Sequence, residues 1–406
     1  MKKLTAGSLG VLLGSLALVS VGAAPSYAEG EDPCNKTIIG ESELTADTEA
    51  RVSTPLVRMH VPEAQKISRG AGVTVAVLDS GVGAGLGVDV LSQSVPGLQS
   101  VLLSGHGTIV GGLIAGPDGV APKARILSMR VLDKDEPDPQ RGERGVSSAL
   151  MAQGIDQLVA LHRTVKFQVV NISLAVRAND PVLEAAVKRL AKLDVVIVAA
   201  SGNKPTDEDG NASTEVTSDA KIFPADYKNV LAVNAIGPST SFDVRDYVMP
   251  NADTDVAAPT VGAISVNLNG QRCQIGEEIA TSYAAAEVSG VVALLRSRFP
   301  KESPKQIVAR LKRTAEGSED STNPWTGAGV VQAADSLTRQ LVPSKKGETP
   351  RTTAEVRADA QAPPAPVRID AYGPSRTMLM WFALGASALL ALALMTRPLF
   401  RRTSSG

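Results

Sequence analysis

Residues 73–82 read VTVAVLDSGV, a run of β-branched and apolar residues that ends in an aspartate, Asp79. Such a run suits a strand that is buried on both faces of a parallel sheet. Similar apolar runs recur farther along the chain, at residues 167–172, 195–199 and 230–236. The composition of these segments therefore predicts four buried strands.

Two segments between these runs have the spacing of helices. Residues 146–161 and 181–193 carry apolar side chains three and four positions apart, and Pro181 follows Asp180 as a first helical residue follows its cap. The alternation predicts an α/β fold with a mostly parallel central sheet and helices on both faces. Ligands of such sheets bind beyond the carboxyl ends of the strands, so the residues there are the candidates for function.

Asp79 and His106 are the first two candidates. A carboxylate directly after a buried strand, as at Asp79, can orient an imidazole, and a turn or helix-capping aspartate is the alternative. His106 lies in SGHGTIVGGLIAG, residues 104–116, where glycines on both sides leave room around the ring. A structural histidine is the alternative there. The chain has only three histidines, and His60 and His162 lack such a setting.

Ser282 and Asn203 complete the set of candidates. Ser282 opens a helical stretch of small residues, where free backbone amides and the positive end of the helix dipole favour a nucleophile and a developing oxyanion. An ordinary helix cap is the alternative. Asn203 ends the run VAASGN, where its amide can donate to an oxyanion, and a turn asparagine is the alternative. Together the acid, imidazole and hydroxyl are the parts of an activated serine.

These segments resemble the motifs of the subtilases, the subtilisin-like serine peptidases. VAVLDSGV, GHGTIVGGLIAG and ATSYAAAEVSG are similar to the Asp, His and Ser motifs of that family, and they occur in its chain order. The resemblance spans residues 55–340 and implies a three-layer subtilisin-like fold without a cofactor or metal ion. It implies a catalytic triad, an oxyanion donor and a substrate-pairing edge strand around residues 171–174. The residues with these roles are Asp79, His106 and Ser282 for the triad, Asn203 for the oxyanion, and Ser173, Leu174 and Ala175 for substrate binding.

The outer parts of the chain narrow the resemblance to the mycosins, the membrane-anchored subtilases of type VII secretion systems. That likeness implies limited proteolysis of secreted proteins and association with a secretion complex in the membrane. Three alanines, Ala280, Ala286 and Ala175, replace the Gly, Pro and Gly that subtilases usually carry there. They favour the alternative of a weakly active or inactive scaffold in a secretion complex. A general cell-surface subtilase is the other alternative.

Both ends of the chain have the composition of targeting segments. Residues 1–28 have two lysines, an apolar run and a small-x-small cleavage pattern, which predicts a signal peptide; an N-terminal anchor is the alternative. Residues 377–396 are uncharged and precede a basic tail at 397–406, which predicts a transmembrane helix with the body outside the cell membrane; a buried core helix is the alternative. Residues 29–54 are predicted to form an N-terminal extension and the proline-rich residues 341–376 a linker.

The remaining sequence features concern partners and redox state. The net charge of −1 gives no general attraction to nucleic acid. Outside the cell the two cysteines, Cys34 and Cys273, are expected to pair with each other, and free or intermolecular thiols are the alternative. Residues 133–145 form a charged loop that is expected to be solvated, with a substrate-gating or self-cleavage loop as the alternative. Asp207 to Asp209 are interpreted as a solvated insertion, with a Ca²⁺ site or a preference for basic substrates as the alternative.

Overall fold

The computed structural model describes residues 52–205, 219–237, 243–268, 270–275, 279–317, 322–349 and 373–400. The predicted signal peptide, the predicted extension except its last three residues, Cys34 and the acidic Asp207–Asp209 segment lie outside the described residues. The chain divides into two compact units, Met1–Pro350 and Arg351–Gly406.

The first unit contains alternating helices and strands. Its strands are β1 (Thr74–Asp79), β2 (Val90–Ser94), β3 (Arg125–Arg130), β4 (Val169–Ile172), β5 (Val196–Ala200), β6 (Val230–Ile236), β7 (Val256–Pro259), β8 (Ile264–Val266) and β9 (Arg272–Gln274). Its helices are α1 (Thr54–Arg58), α2 (Val61–Gln65), α3 (His106–Ala115), α4 (Ser148–Leu161), α5 (Pro181–Leu190), α6 (Thr281–Arg298), α7 (Pro304–Thr314) and α8 (Ala333–Thr338). Short 3-10 turns lie at Pro139–Arg141 and Val244–Asp246.

Among the described residues, β1 to β7 form one parallel sheet in the order β2-β3-β1-β4-β5-β6-β7. The chain first extends the sheet on one side of β1 and then crosses back to add β4 on the other side. The carboxyl ends of β1 and β4 therefore flank the point where the winding reverses, which is where α/β sheets bind their ligands. β8 and β9 form a separate antiparallel hairpin.

The side chains of the strands alternate between two cores. Val75 and Val77 of β1 pack in the core that contains α3 and α6, whereas Ala76 and Leu78 pack in the core that contains α4 and α5. The predicted three-layer α/β fold, with helices on both faces of the sheet, is confirmed. Asp79 continues the alternation of Val75 and Val77, so its side chain points to the α3 and α6 face.

The observed limits of the elements follow from their capping residues. α5 begins at Pro181, as predicted. Its cap is Asp180, whose Oδ1 accepts hydrogen bonds from the amides of Val182 and Leu183 at 2.7 and 3.2 Å. α4 begins at Ser148 rather than at residue 146 because the Ser147 hydroxyl accepts a hydrogen bond from a first-turn amide. Its last turn places His162 at the C-terminal cap, where burial lowers the pKa of the imidazole.

One expectation about the sheet is wrong. Asn171–Leu174 was expected to supply an edge strand, but β4 lies between β1 and β5 and is an interior strand. Its pairing ends at Ile172, and in the described part of the chain residues 173–175 form no backbone hydrogen bonds with other strands. The peptide groups that are open to a ligand therefore lie just beyond the strand.

The second unit contributes one described helix, α9 (Gly373–Phe400). Its segment Met378–Met395 is 18 residues long, has a mean hydropathy of 2.1 and is long and apolar enough to cross a membrane. The side chains of that segment are exposed in the described structure, which gives no support to the alternative of a buried core helix.

Candidate active site

Asp79 and His106 form the central contact of the site. His106 Nδ1 lies 2.8 Å from Asp79 Oδ1, and the carboxylate is completely buried while 14% of the imidazole side chain is exposed. Asp79 Oδ1 also accepts a hydrogen bond from the Ser80 amide at 2.7 Å, which fixes the orientation of the carboxylate. The buried acid can thus hold one ring nitrogen and fix the orientation of the imidazole.

The close approach of β1 and α3 produces this contact. The Ser80 hydroxyl accepts a hydrogen bond from the Gly107 amide at 3.0 Å, and Thr108 Oγ1 accepts one from the Gly83 amide at 2.9 Å. A Cβ atom on Gly107 would lie 2.5 Å from the Gly81 carbonyl oxygen, so only glycine permits this packing. The glycine after His106 therefore sets the distance between the helix and the strand.

Ser282 is the second residue of α6 and is almost buried, with 8% of its surface exposed. Its amide is among the first amides of the helix, which have no acceptor within the helix. The ring of the next residue, Tyr283, stacks on His106 with 5.7 Å between the ring centroids. Within the described ranges the Ser282 hydroxyl forms no hydrogen bond, including none to His106. The structure thus brings acid and imidazole into contact and places the hydroxyl on the wall of the same cleft.

Asn203 is held by the start of α6. Its Oδ1 accepts hydrogen bonds from the Thr281 amide at 2.8 Å and the Thr281 hydroxyl at 2.9 Å. Because Ala280 has no side chain that can cap the helix, Asn203 provides the cap from a distant part of the chain. The bonded oxygen fixes the amide orientation, so Nδ2 is the donor that remains, and no described residue accepts a hydrogen bond from it. Gly202, with φ at +98°, makes the turn that delivers this side chain.

The candidate residues border one cleft of about 270 Å³. Six of the predicted catalytic, oxyanion and substrate-binding residues line it: His106, Ser173, Leu174, Ala175, Asn203 and Ser282. The seventh, Asp79, lies behind the imidazole of His106. The Ser173 hydroxyl donates to the Ser282 carbonyl oxygen at 2.7 Å, which ties the segment after β4 to the start of α6. The cleft combines an imidazole, a hydroxyl, an amide donor and unpaired peptide groups, which together suit acyl transfer on a peptide.

The three alanine departures leave the cleft unobstructed. Ala280 and Ala286 are buried in the core, with 1% and 0% exposed surface, and neither lines the cleft. Ala175 lines it, but its backbone does not have the positive φ that would require glycine. Ala280 and Ala286 are therefore not among the residues that would contact a substrate in the cleft.

Asp135 is a cleft residue that sequence reasoning missed. It belongs to the charged loop at residues 133–145, which was expected to be solvated, yet it borders the same cleft as His106. Arg130 and Asp133 anchor the start of this loop with an ion pair of 2.7 Å, both side chains being nearly or completely buried. A run of charged residues gives no sign of which one faces a cleft, so sequence alone could not single out Asp135.

The remaining candidates lie away from the cleft or outside the described residues. His60 is exposed and precedes α2, and His162 packs edge-on against Phe167, with 4.5 Å between the ring centroids. Cys273 is buried in β9, but its predicted partner Cys34 lies outside the described residues, so the pairing stays a prediction. In the described ranges no group of three His, Cys, Asp or Glu side chains is placed to hold a metal ion.

Comparison with known proteins gives one consistent result. A sequence model of the subtilase family matches residues 70–347. Mycosin-3 of Mycobacterium tuberculosis strain H37Rv is 32% identical over 386 residues, which cover 77% of this chain and 82% of that protein. The structure of the MycP3 protease from the type VII (ESX-3) secretion system is 31% identical, with a TM-score of 0.55, and covers 76% of this chain and 90% of that one.

A third match comes from a larger assembly. A chain in the structure of the periplasmic assembly from the ESX-5 inner membrane complex is 25% identical, with a TM-score of 0.59, and covers 74% of this chain and 87% of that one. The residues matched by the family model include Asp79, His106, Asn203 and Ser282, so the likeness extends over the whole cleft.

Proposed function

This chain belongs to the subtilase family of serine peptidases and is related to the mycosins, and we propose on that basis that it is a membrane-anchored serine endopeptidase. Its proposed reaction is limited proteolysis of secreted proteins outside the cell membrane. The observation that carries the proposal is the 2.8 Å contact of His106 with buried Asp79, in a cleft that also contains Ser282 and Asn203.

The proposed mechanism assigns one step to each group. Ser282 Oγ attacks the peptide carbonyl while His106 takes its proton and later returns it to the leaving amine. Asp79 holds the imidazole in one tautomer and stabilises the imidazolium. Asn203 Nδ2 and the Ser282 amide donate to the oxyanion, and each donor is worth about 3 kcal/mol in the transition state. The substrate backbone pairs with the free peptide groups of residues 173–175.

The proposed location follows from the ends of the chain. The apolar segment Met378–Met395 supports the predicted transmembrane helix at 377–396, and the arginines after it support a cytoplasmic tail at 397–406. We infer that residues 1–28 are removed on export, that residues 29–54 form an extension and that residues 341–376 connect the peptidase domain, 55–340, to the membrane. The likeness to the MycP3 protease supports a link to type VII secretion.

A second candidate function is a structural role in a secretion complex. It is favoured by the likeness to a chain of the ESX-5 periplasmic assembly. The alanine departures, by contrast, give it little support, because Ala280 and Ala286 are buried away from the cleft. The two roles differ in whether the serine is chemically activated, and they can coexist in one protein.

A fluorophosphonate probe separates the two candidates, because it reacts only with an activated serine. We expect the wild-type protein to be labelled and the Ser282→Ala variant to be unlabelled, both with the same melting temperature. Ser297→Ala, at the far end of α6, is the matched control and should be labelled like the wild type. A folded wild-type protein that takes up no label would contradict the peptidase proposal.

If the wild type is labelled, a comparison of the proteins secreted by cells with the wild-type chain and with Ser282→Ala would identify the substrate.

A further inference from the structure

Asp135 has a distinctive place on the cleft. Of the described residues that line it, Asp135 is the only carboxylate, and it also borders an adjoining cavity of about 530 Å³ together with Val146. Its side chain is open to solvent, so a bound peptide can reach it. It thus lies where the two cavities adjoin, near the imidazole of His106.

The other acids of the loop are already paired, with one exception. The loop has three ion pairs in the described structure. They are Asp133 with Arg130 at 2.7 Å, Glu143 with Lys134 at 2.9 Å and Asp138 with Arg141 at 3.3 Å. In the same part of the chain, Asp135 and its exposed neighbour Glu136 have no ion pair, and Glu136 does not line the cleft. Among the described residues, Asp135 is therefore the one acid of the loop that has no ion pair and also lines the cleft.

The surroundings of Asp135 make a counter-ion favourable. Although solvent reaches the side chain, the walls of the cleft remove part of its hydration and raise the pKa of Asp135, and the nearby carboxylates of Asp79 and Glu136 act in the same direction, while His106 opposes them. Two arginines, Arg177 on the cleft and Arg144 on the adjoining cavity, form no ion pair with Asp135 in the described structure. A cationic ligand would supply the missing charge.

The geometry of a bound peptide decides which side chain reaches Asp135. Successive side chains of an extended peptide point to opposite sides. The proposed mechanism places the attacked carbonyl at Ser282 and Asn203, so we assign the side chain of that residue to the part of the cleft that Ala200, Gly202 and Ile222 line. The preceding residue then points the other way, toward His106 and Asp135.

We propose that Asp135 selects substrates with Lys or Arg immediately N-terminal to the residue whose carbonyl is attacked. This inference rests on the proposed peptidase function and names the substrate class of the same cleft. A lysine or arginine is long enough to place its charge at Asp135 while its methylene groups lie along the imidazole. A charge-assisted contact of this kind contributes to binding in a cleft more than a neutral one does.

The test uses three fluorogenic peptides, acetyl-Ala-Ala-X-Ala-aminomethylcoumarin, with Lys, Gln or Glu at X. We expect wild-type kcat/KM to fall in the order Lys, Gln, Glu, with about a tenfold ratio between Lys and Gln. Asp135→Asn should bring this ratio close to one. Glu136→Gln removes the adjacent acid, which is not on the cleft, and should keep the wild-type ratio. An equal ratio in wild type and Asp135→Asn would overturn the inference while leaving the peptidase function intact.

Failure to cleave any of the three peptides would count against the peptidase function. In that case a binding measurement still tests the inference about Asp135. Fluoresceinyl-Ala-Ala-X-Ala-amide peptides, labelled at the N-terminus in place of the acetyl group, are titrated into the folded Ser282→Ala full chain, with and without Asp135→Asn. We expect the Lys peptide to bind about tenfold more tightly than the Gln peptide only when Asp135 is present. Equal affinities for the Lys and Gln peptides would overturn the inference.

Discussion

At the scale of single residues, Asn203 serves the site through two different atoms. Its Oδ1 caps α6 through the Thr281 amide and hydroxyl, and its Nδ2 is left as the donor next to Ser282. The proposed oxyanion donor is thus oriented by the helix whose start carries the proposed nucleophile. A substitution can separate the two contributions because they belong to different atoms.

We predict that Asn203→Asp and Asn203→Ala differ in stability but not in the loss of catalysis. Aspartate keeps an oxygen for the Thr281 amide but replaces the donor by a charged oxygen, so kcat should fall by at least about 10²-fold at unchanged stability. Alanine removes both, so kcat should fall similarly and the free energy of unfolding by about 1 kcal/mol. Peptide hydrolysis and urea unfolding measure the two quantities. Wild-type kcat in Asn203→Asp would exclude an oxyanion role for this side chain.

The sequence predicted some residues of the site and not others, and the difference is physical. Asp79 and His106 are recognisable because they lie at a strand end and beside the glycine that lets α3 approach β1. The cap that Asn203 gives to Thr281 joins residues 78 positions apart, and no local pattern indicates it. Asp135 lies among other charged residues, and only the fold shows which of them faces the cleft.

At the scale of elements, β2 and β3 were not predicted because neither consists of a continuous apolar run. β2 reads VLSQS, is mostly exposed and lies at the edge of the sheet, so it has no apolar run. β3 contains Ser128 and Arg130, which are buried because the serine accepts a hydrogen bond from the Val82 amide and the arginine pairs with Asp133. The four strands that could be predicted are interior strands with continuous apolar runs.

The buried part of helix α6 contains one acidic residue, Glu287. Glu287 is completely buried in it, and neither carboxyl oxygen has a hydrogen-bond partner among the described residues. Burial raises the pKa of Glu287 well above its usual value. The side chain therefore keeps its proton in the folded protein at pH values where the unfolded chain has already released it.

This difference predicts a pH dependence of stability. Because the folded state binds the extra proton, the free energy of unfolding falls as the pH rises from the unfolded to the folded pKa of Glu287, by about 1.4 kcal/mol per pH unit. Glu287→Gln is neutral throughout and should lack this decline, so the variant should gain on the wild type as the pH rises. Urea unfolding at several pH values tests this. Glu63→Gln, at an exposed site on α2, should keep the wild-type slope, and an unchanged slope in Glu287→Gln would refute the prediction.

At the scale of the whole molecule, the first unit continues into the segment that was assigned to the linker. Arg310 of α7 is 97% buried by its neighbours, leaving 3% of its side chain exposed, and it donates to the carbonyl oxygens of Arg339 and Leu341 at 3.1 and 2.9 Å. Gln306 of the same helix donates to the Pro343 carbonyl oxygen at 2.8 Å. From these contacts we predict that residues 341–343 add stability to the peptidase body proposed for 55–340.

Two truncations test both this boundary and the proposed anchor. A chain that ends at residue 349 keeps the contacts of Arg310 and Gln306 but lacks α9, so we expect it to fold, to take up the fluorophosphonate probe and to leave the membrane fraction. A chain that ends at residue 340 loses the carbonyl oxygens of Leu341 and Pro343, and its free energy of unfolding should be lower by about 2 kcal/mol, because a buried guanidinium loses one of its acceptors. Carbonate extraction of membranes and urea unfolding measure the two effects. Retention of the 349-residue chain in the extracted membranes would show that α9 is not the anchor, and equal stability of the two chains would place the boundary at 340.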